Sequence, residues 1–96
     1  MDVISDPRLI EEHISAAWEL DGDVIVKVAK FPNFAAALAY VNAVGEIAEE
    51  LDHHPDIDIR YDTVTLRCST HYLGGITEKD FELAARIDQL DDVEAG

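Results

Sequence analysis

The sequence predicts an α+β domain: a four-stranded antiparallel sheet made of two hairpin–helix units, preceded by an N-terminal helix, with the helices packed on one face. Two observations lead to this prediction. Short stretches that alternate apolar and polar residues occur in two pairs, and a stretch with three- and four-residue apolar spacing follows each pair. With 96 residues, 48% of them hydrophobic, the chain can build one core, so residues 1–96 are expected to form a single domain.

The N-terminal helix is predicted to begin at Ser5-Asp6-Pro7, where a capping side chain precedes proline at the first helical position. It is expected to run to about His13 or Ala17. We interpret His13 as a surface or half-buried histidine without a part in chemistry.

The first hairpin follows this helix. Trp18-Glu19-Leu20 leads into the turn signal Asp21-Gly22, and a strand rich in β-branched residues runs from Val24 to Phe31. Pro32 ends this strand because proline cannot donate to a strand ladder. The residues expected to face the core are Val24, Val26 and Val28, while Lys27 and Lys30 are expected to keep part of the strand in water.

The longest helix is predicted from Phe34 to about Asp52, with Asn33 as its cap and Pro55 as its stop. A single apolar stripe is expected to be buried. Its members are Phe34, Ala37, Leu38, Val41, Val44, Ala48 and Leu51.

The second hairpin and the last helix complete the fold. A third strand alternates Ile57, Ile59 and Tyr61 with Asp58 and Arg60, and after the turn at Asp62-Thr63 a fourth strand alternates Val64, Leu66 and Cys68 with polar residues. Tyr61 and Cys68 are interpreted as packing residues. The loop His71–Gly75 precedes a capping box at Thr77–Asp80. The last helix is expected to end at about Leu90, with a frayed acidic tail from Asp91 onward.

The net charge of the chain limits the classes of partner that it can bind. It carries 21 acidic and 7 basic residues, a formal net charge of −14. Phosphate backbones and anionic membrane surfaces require clustered Lys and Arg, so we expect neither nucleic acid nor a membrane as a partner. The acidic surface suits a salt-rich cytoplasm or, alternatively, recruitment of a basic protein partner.

Cysteine content and the N-terminus point to the cytoplasm. Cys68 is the only cysteine, which excludes an internal disulfide and fits a reducing compartment. We expect no signal peptide, because no basic region followed by an apolar one begins the chain, and no membrane span, because no run of about 18 apolar residues exists.

Three of the four histidines lie between Glu49 and Asp80. His53 and His54 follow Glu49 and Glu50 by four residues each, so each is expected to face its own carboxylate across one helical turn. Imidazoles beside carboxylates are suited to give or take protons near neutral pH. The alternatives are that His53-His54-Pro55 merely ends a helix, or that the histidines with Asp52 or Asp80 bind zinc or iron. No His-x-x-x-His pair or cysteine ligand supports a metal, so none is predicted.

The spacing of five positions is more specific: Glu49, His53-His54-Pro55, Tyr61, His71 and Asp80. In this spacing the sequence closely resembles the signature of the pterin-4a-carbinolamine dehydratases. The flanking residues resemble the family as well, so that the likeness covers roughly Trp18 to Leu90. The flanks that carry it are Ala48-Glu49, Thr63-Val64-Thr65-Leu66, Gly74-Gly75-Ile76-Thr77 and the pair Phe31 and Phe34.

The resemblance implies a 4a-hydroxytetrahydrobiopterin dehydratase. Such an enzyme removes water from 4a-hydroxytetrahydropterin, the product of aromatic amino acid hydroxylation, to give quinonoid dihydropterin without a metal or organic cofactor. One proton must reach the departing 4a-hydroxyl and one must leave ring N5. Carried over by position, His53, His54 and His71 line the site. The resemblance assigns proton transfer to His53 and His71 and substrate binding mainly to His54.

The resemblance also implies supporting residues. Asp80 holds the last signature position, although its capping role explains it equally well, and Glu49 orients a histidine. Pro55 belongs to the signature, and Trp18 either stacks beside the pterin or lies in the core. One position departs from the family: Ile57 stands where an aromatic residue is common, which weakens the expected stacking on pterin.

Two further implications concern partners. The family forms homodimers and homotetramers through sheet edges and helices, and an aromatic amino acid hydroxylase would act in the same pathway. The alternative function is a non-catalytic binding module on the same fold, because relatives serve as a transcriptional dimerisation cofactor or as a Rubisco assembly factor. Retention of all three histidines favours the enzyme.

Overall fold

The structure is a computed structural model that describes the backbone of residues 2–95 and the side chains of residues 2–91. The chain folds in the predicted order of helix, two strands, helix, two strands and helix. A short 3₁₀ helix, His71–Leu73, lies between the last strand and the last helix. The elements are α1 Pro7–Glu12, β1 Glu19–Asp21, β2 Val24–Lys30, α2 Phe34–Leu51, β3 Asp56–Arg60, β4 Thr63–Cys68 and α3 Glu78–Ala95.

The strands form one antiparallel sheet in the order β1-β2-β4-β3. Each hairpin keeps its own strands together, and the two hairpins join through β2 and β4, where Lys27 pairs with Leu66. The buried face of the sheet packs against α2 and α3. The predicted α+β architecture is therefore confirmed. Within the described part of the chain, no helix has an apolar stretch long enough to cross a membrane.

The inward face of β2 differs from the prediction. Ile25 and Lys27 are buried at 0% and 4% exposure, whereas Val28 is 64% exposed, so the expected valine face points away from the core. Because side chains alternate along a strand, pairing with β4 decides the face: Ile25 lies opposite the buried Cys68. Because β2 carries apolar residues on both faces, the sequence alone does not indicate which face is buried.

The buried stripe of α2 is rotated from the predicted one. Ala37, Val44 and Ala48 are buried as expected, but Phe34 and Leu38 are largely exposed. The residues that replace them in the core are Tyr40 and Ile47. Tyr40 enters the core because its ring packs against that of Phe31, with centroids 4.9 Å apart.

Helix α1 ends at Glu12 with His13 as its C-cap, in agreement with the first of its two predicted ends. Two other element ends differ from the prediction. Strand β3 stops before Tyr61, which has a φ of 53° in the hairpin turn and is 69% exposed, so its predicted packing role is wrong. Helix α3 continues past Leu90 to Ala95, where a frayed tail was expected.

A part-buried polar network contacts the second half of α3. We call Trp18, Lys27, Asp88 and Asp91 the Lys27 network. Trp18 Nε1 donates to Asp88 Oδ1 at 3.0 Å, and Lys27 Nζ donates to Asp91 and lies 3.9 Å from Asp88. Burial lowers the pKa of Lys27, but its contacts with Asp91 and with Tyr40, whose ring centroid is 5.4 Å away, more than offset this and raise the pKa above 10.5. The network ties the second half of α3 to the sheet.

Candidate active site

The first two histidines of the candidate site lie just after the C-terminal end of α2. Asp52 adopts a left-handed conformation with a φ of 50°. Its N–H donates to the carbonyl of Glu49 at 3.3 Å, and the N–H of His53 donates to the carbonyl of Ala48 at 3.0 Å. This pair of bonds is the Schellman motif, which closes a helix and reverses the chain. The reversal turns His53 toward α3 and leaves His54 exposed.

The predicted pairing of each histidine with the carboxylate four residues earlier is wrong. His54 Nε2 contacts Glu49, and both side chains are exposed. Glu50 instead accepts a hydrogen bond from Arg86 at 2.6 Å. The left-handed Asp52 interrupts helical spacing, so positions after it no longer follow the rule for residues four apart.

His53 forms the buried pair of the site. Its Nε2 lies 2.6 Å from Asp80 Oδ1, and the side chains are 12% and 0% exposed. Asp80 Oδ2 accepts hydrogen bonds from the Thr77 N–H at 2.9 Å and from Thr70 Oγ1 at 3.0 Å. The bond from the Thr77 N–H to Asp80 is the side-chain half of the predicted capping box, and Thr77 Oγ1 accepts from the Lys79 N–H at 3.2 Å, one residue before the position that the box uses. Asp80 therefore caps α3 and holds His53 at once.

His71 comes from the other side of the site. It opens the 3₁₀ helix after β4, and its exposed Nε2 lies 3.4 Å from Asp56 Oδ2. A backbone bridge between Thr70 and Gly75 closes the loop that carries it. Gly75 packs closely here, because an added Cβ would lie 2.6 Å from Val3 Cγ1 and would displace that side chain.

The three histidines meet at one cleft. Its volume is about 200 Å³, and it lies between the end of α2 and the loop after β4. The residues that line it are Asp52, His53, His54, Ser69, Thr70, His71 and Tyr72. Among the sequence-predicted supporting residues, Asp80 and Glu49 reach the cleft through His53 and His54.

Other predicted site residues lie elsewhere. Trp18 is 3% exposed, belongs to the Lys27 network and does not line the cleft. Pro55 is half-buried and leads into β3 without lining the cleft, and Ile57 is 38% exposed on that strand. The structure thus brings together the histidines and their carboxylates, and leaves Trp18 in the core.

Sequence reasoning missed Asp56, Thr70 and Tyr72. Thr70 and Tyr72 flank His71 directly, so their proximity to the site follows from adjacency alone. Tyr72 is 79% exposed and supplies a flat side chain at the cleft. Asp56 had no local signal, because its contact with His71 depends on the pairing of β3 with β4.

The three histidine–carboxylate pairs share one feature, because in each the imidazole Nε2 faces a carboxylate oxygen. For His53 and His54 this contact is a hydrogen bond, which assigns the proton to Nε2 and leaves Nδ1 as the acceptor, whereas His71 Nε2 lies 3.4 Å from Asp56. No group of three metal-ligating side chains occurs within the described residues. The arrangement is suited to acid–base chemistry on a small molecule.

A profile of one protein family, pterin 4 alpha carbinolamine dehydratase, matches residues 5–90. The chain belongs to this family. The resemblance found in the five-position signature is therefore confirmed, and four of the signature positions, Glu49, His53-His54, His71 and Asp80, fall at the cleft or contact its histidines.

Relatives and solved structures agree with this assignment. A protein of Acidobacterium capsulatum, provisionally named pterin-4-alpha-carbinolamine dehydratase, is 52% identical over 86 residues, covering 88% of this chain and 94% of its own. The crystal structure of a transcriptional coactivator/pterin dehydratase from Brucella melitensis has a TM-score of 0.81 and 27% identity, covering 92% of this chain and 97% of its own. A pterin dehydratase-like RuBisCO assembly factor of the alpha-carboxysome has a TM-score of 0.66 and 26% identity, covering 81% and 92%.

Proposed function

We propose that this family member is a 4a-hydroxytetrahydrobiopterin dehydratase, a hydro-lyase that eliminates water from 4a-hydroxytetrahydropterin to give quinonoid dihydropterin. The observation that carries the proposal is the convergence of His53, His54 and His71 on one cleft, each with a carboxylate at Nε2.

The elimination breaks the C4a–O bond and forms a C4a=N5 double bond. A protonated His71 donates a proton to the 4a-hydroxyl oxygen, which leaves as water. His53 removes the proton from N5, whose electron pair completes the double bond. His71 is exposed and regains its proton from solvent, while buried Asp80 stabilises the imidazolium that forms at His53. General acid–base assistance of this kind is typically worth about 10²–10⁴-fold in rate.

Substrate binding completes the proposal. His54 holds the pterin, and Tyr72 offers the aromatic surface that Ile57 does not. No metal or organic cofactor takes part. We further propose a cytoplasmic homodimer or homotetramer, supplied with substrate by an aromatic amino acid hydroxylase in the same pathway.

A second candidate function is a non-catalytic binding module. It is favoured by the likeness to the RuBisCO assembly factor and by the net charge of −14, which would suit a basic protein partner. The two functions differ in one measurable property, because only the enzyme accelerates dehydration.

The experiment follows the absorbance of enzymatically generated 4a-hydroxytetrahydropterin with wild type, His54→Ala and His71→Ala. The control is His13→Ala, because His13 is exposed and stacks on Phe81 outside the cleft. We expect wild type and the control to exceed the spontaneous rate and the two cleft variants to lose at least about tenfold. Wild type no faster than buffer would contradict the dehydratase and favour the binding module.

A further inference from the structure

We propose that Thr70 is a positioning residue that sets the proton-accepting form of His53 through Asp80. The inference rests on the proposed function for its catalytic consequence, while the geometry that supports it is independent of any substrate. Thr70 lies outside the five-position signature and is buried at 1% exposure.

The hydroxyl groups of Thr77 and Thr70 form a chain of hydrogen bonds in which every donor points toward Asp80. Thr70 Oγ1 lies 3.0 Å from Asp80 Oδ2 and 2.8 Å from Thr77 Oγ1. An ionised carboxylate only accepts hydrogen bonds, so Thr70 must donate to Asp80 and therefore accept from Thr77. The Thr77 oxygen can then still accept from the Lys79 N–H. Each member of the chain has a donor and an acceptor in place.

This chain determines which oxygen of Asp80 serves His53. Oδ2 is occupied by Thr70 and by the Thr77 N–H, so the carboxylate plane is fixed and Oδ1 points at His53 Nε2. A fixed acceptor at Nε2 holds the proton on that nitrogen and keeps the lone pair of the neutral imidazole on Nδ1. The Nδ1 lone pair is what the proposed removal of the N5 proton requires.

The backbone of Thr70 serves the other proton-transfer histidine. Its N–H donates to the Gly75 carbonyl at 2.7 Å, and its carbonyl accepts from the Leu73 and Gly74 N–H groups at 3.0 Å. These bonds form the base of the loop that begins at His71. Replacing Thr70 by valine removes the hydroxyl and keeps the backbone hydrogen bonds of the loop. The substitution therefore tests the effect of Thr70 on His53 without disturbing the loop that carries His71.

The test compares Thr70→Val with Thr70→Ser, which restores the hydroxyl, and with the matched control Thr65→Val. Thr65 lies on β4 opposite Asp58 and Val28, on the sheet face away from Asp80. We expect Thr70→Val to lower kcat about ten- to hundredfold with little change in KM, and to shift the pH profile of kcat. Thr70→Ser should recover most of the rate, and Thr65→Val should match wild type.

A second readout needs no turnover. The ¹⁵N chemical shifts of the His53 ring report which nitrogen carries the proton, and we expect the Nε2–H form in wild type and a mixture of both forms in Thr70→Val. An Nδ1–H form in wild type would overturn the proposal, as would a Thr70→Val protein with wild-type ring shifts. Absent turnover by wild type would instead overturn the proposed function, so the two failures are distinguishable.

Discussion

Helix α3 carries two carboxylate networks, one buried and one partly exposed, that differ in what they are suited to do. At its first turn Asp80 holds His53 beside an open cleft, and two to three turns later Asp88 and Asp91 hold Lys27 beneath the helix. Lys27 has a raised pKa and stays charged through the neutral range, so its network cannot exchange protons there. An imidazole exchanges its proton near neutral pH. Buried ion pairs are thus functional candidates when the cation can titrate and a cleft reaches it.

The largest expected effect is at the cleft. In the proposed mechanism Asp80→Asn removes the negative charge that stabilises the imidazolium at His53, so kcat/KM for dehydration should fall by about 10²–10⁴-fold. The matched control is Asp88→Asn, the same change on the same helix in the Lys27 network, which should retain wild-type kcat/KM. Equal losses in both variants, measured by the absorbance assay, would erase the distinction between the two networks.

The second effect concerns stability. Lys27→Met leaves Asp88 and Asp91 without their cation, but their side chains are 28% and 46% exposed and regain water. We therefore expect a loss of about 1–2 kcal/mol in the free energy of unfolding, below the 3–5 kcal/mol of a fully buried broken pair. Urea denaturation measures it. Lys30→Met, an exposed lysine on the same strand, should change stability by less than about 0.5 kcal/mol. A Lys27→Met protein as stable as wild type would contradict an anchoring role.

Alkaline pH should weaken the folded state through one buried group beside each network, Cys68 near Asp80 and Tyr40 near Lys27. Burial, reinforced by Asp80, raises the pKa of Cys68 above 9.0, and burial raises that of Tyr40 above 10.0. In each case the unfolded chain loses the proton first, so the folded state loses stability as pH rises from the unfolded value toward the folded one. Cys68 alone should contribute a decline of about 1.4 kcal/mol per pH unit above pH 9.

Lys27 adds a decline of the same sign above pH 10.5. Denaturation of Cys68→Ala between pH 9 and 10 should lack the first decline, while its dehydration rate per folded molecule at neutral pH should match wild type. A Cys68→Ala protein with the wild-type slope would show that the thiol does not hold its proton on folding.

Periodicity, a local property, predicted the order of the elements, and the resemblance to the family predicted that the three histidines meet. The partners of the charged groups were not predictable in this way. Asp52 is a non-glycine residue in a left-handed conformation, which no pattern signalled, and it decides that His53 meets Asp80 rather than Glu49. Lys27 was expected in water because its partner Asp91 lies 64 residues away.

We expect the two networks of α3 to divide catalysis from anchoring. The most direct test measures the dehydration rate per folded molecule for Asp80→Asn and Lys27→Met side by side, at a temperature where circular dichroism shows both proteins folded. We expect the rate of Asp80→Asn to fall by at least about 10²-fold and that of Lys27→Met to stay within about twofold of wild type. Full activity in Asp80→Asn, or an equal loss in Lys27→Met, would contradict the claim.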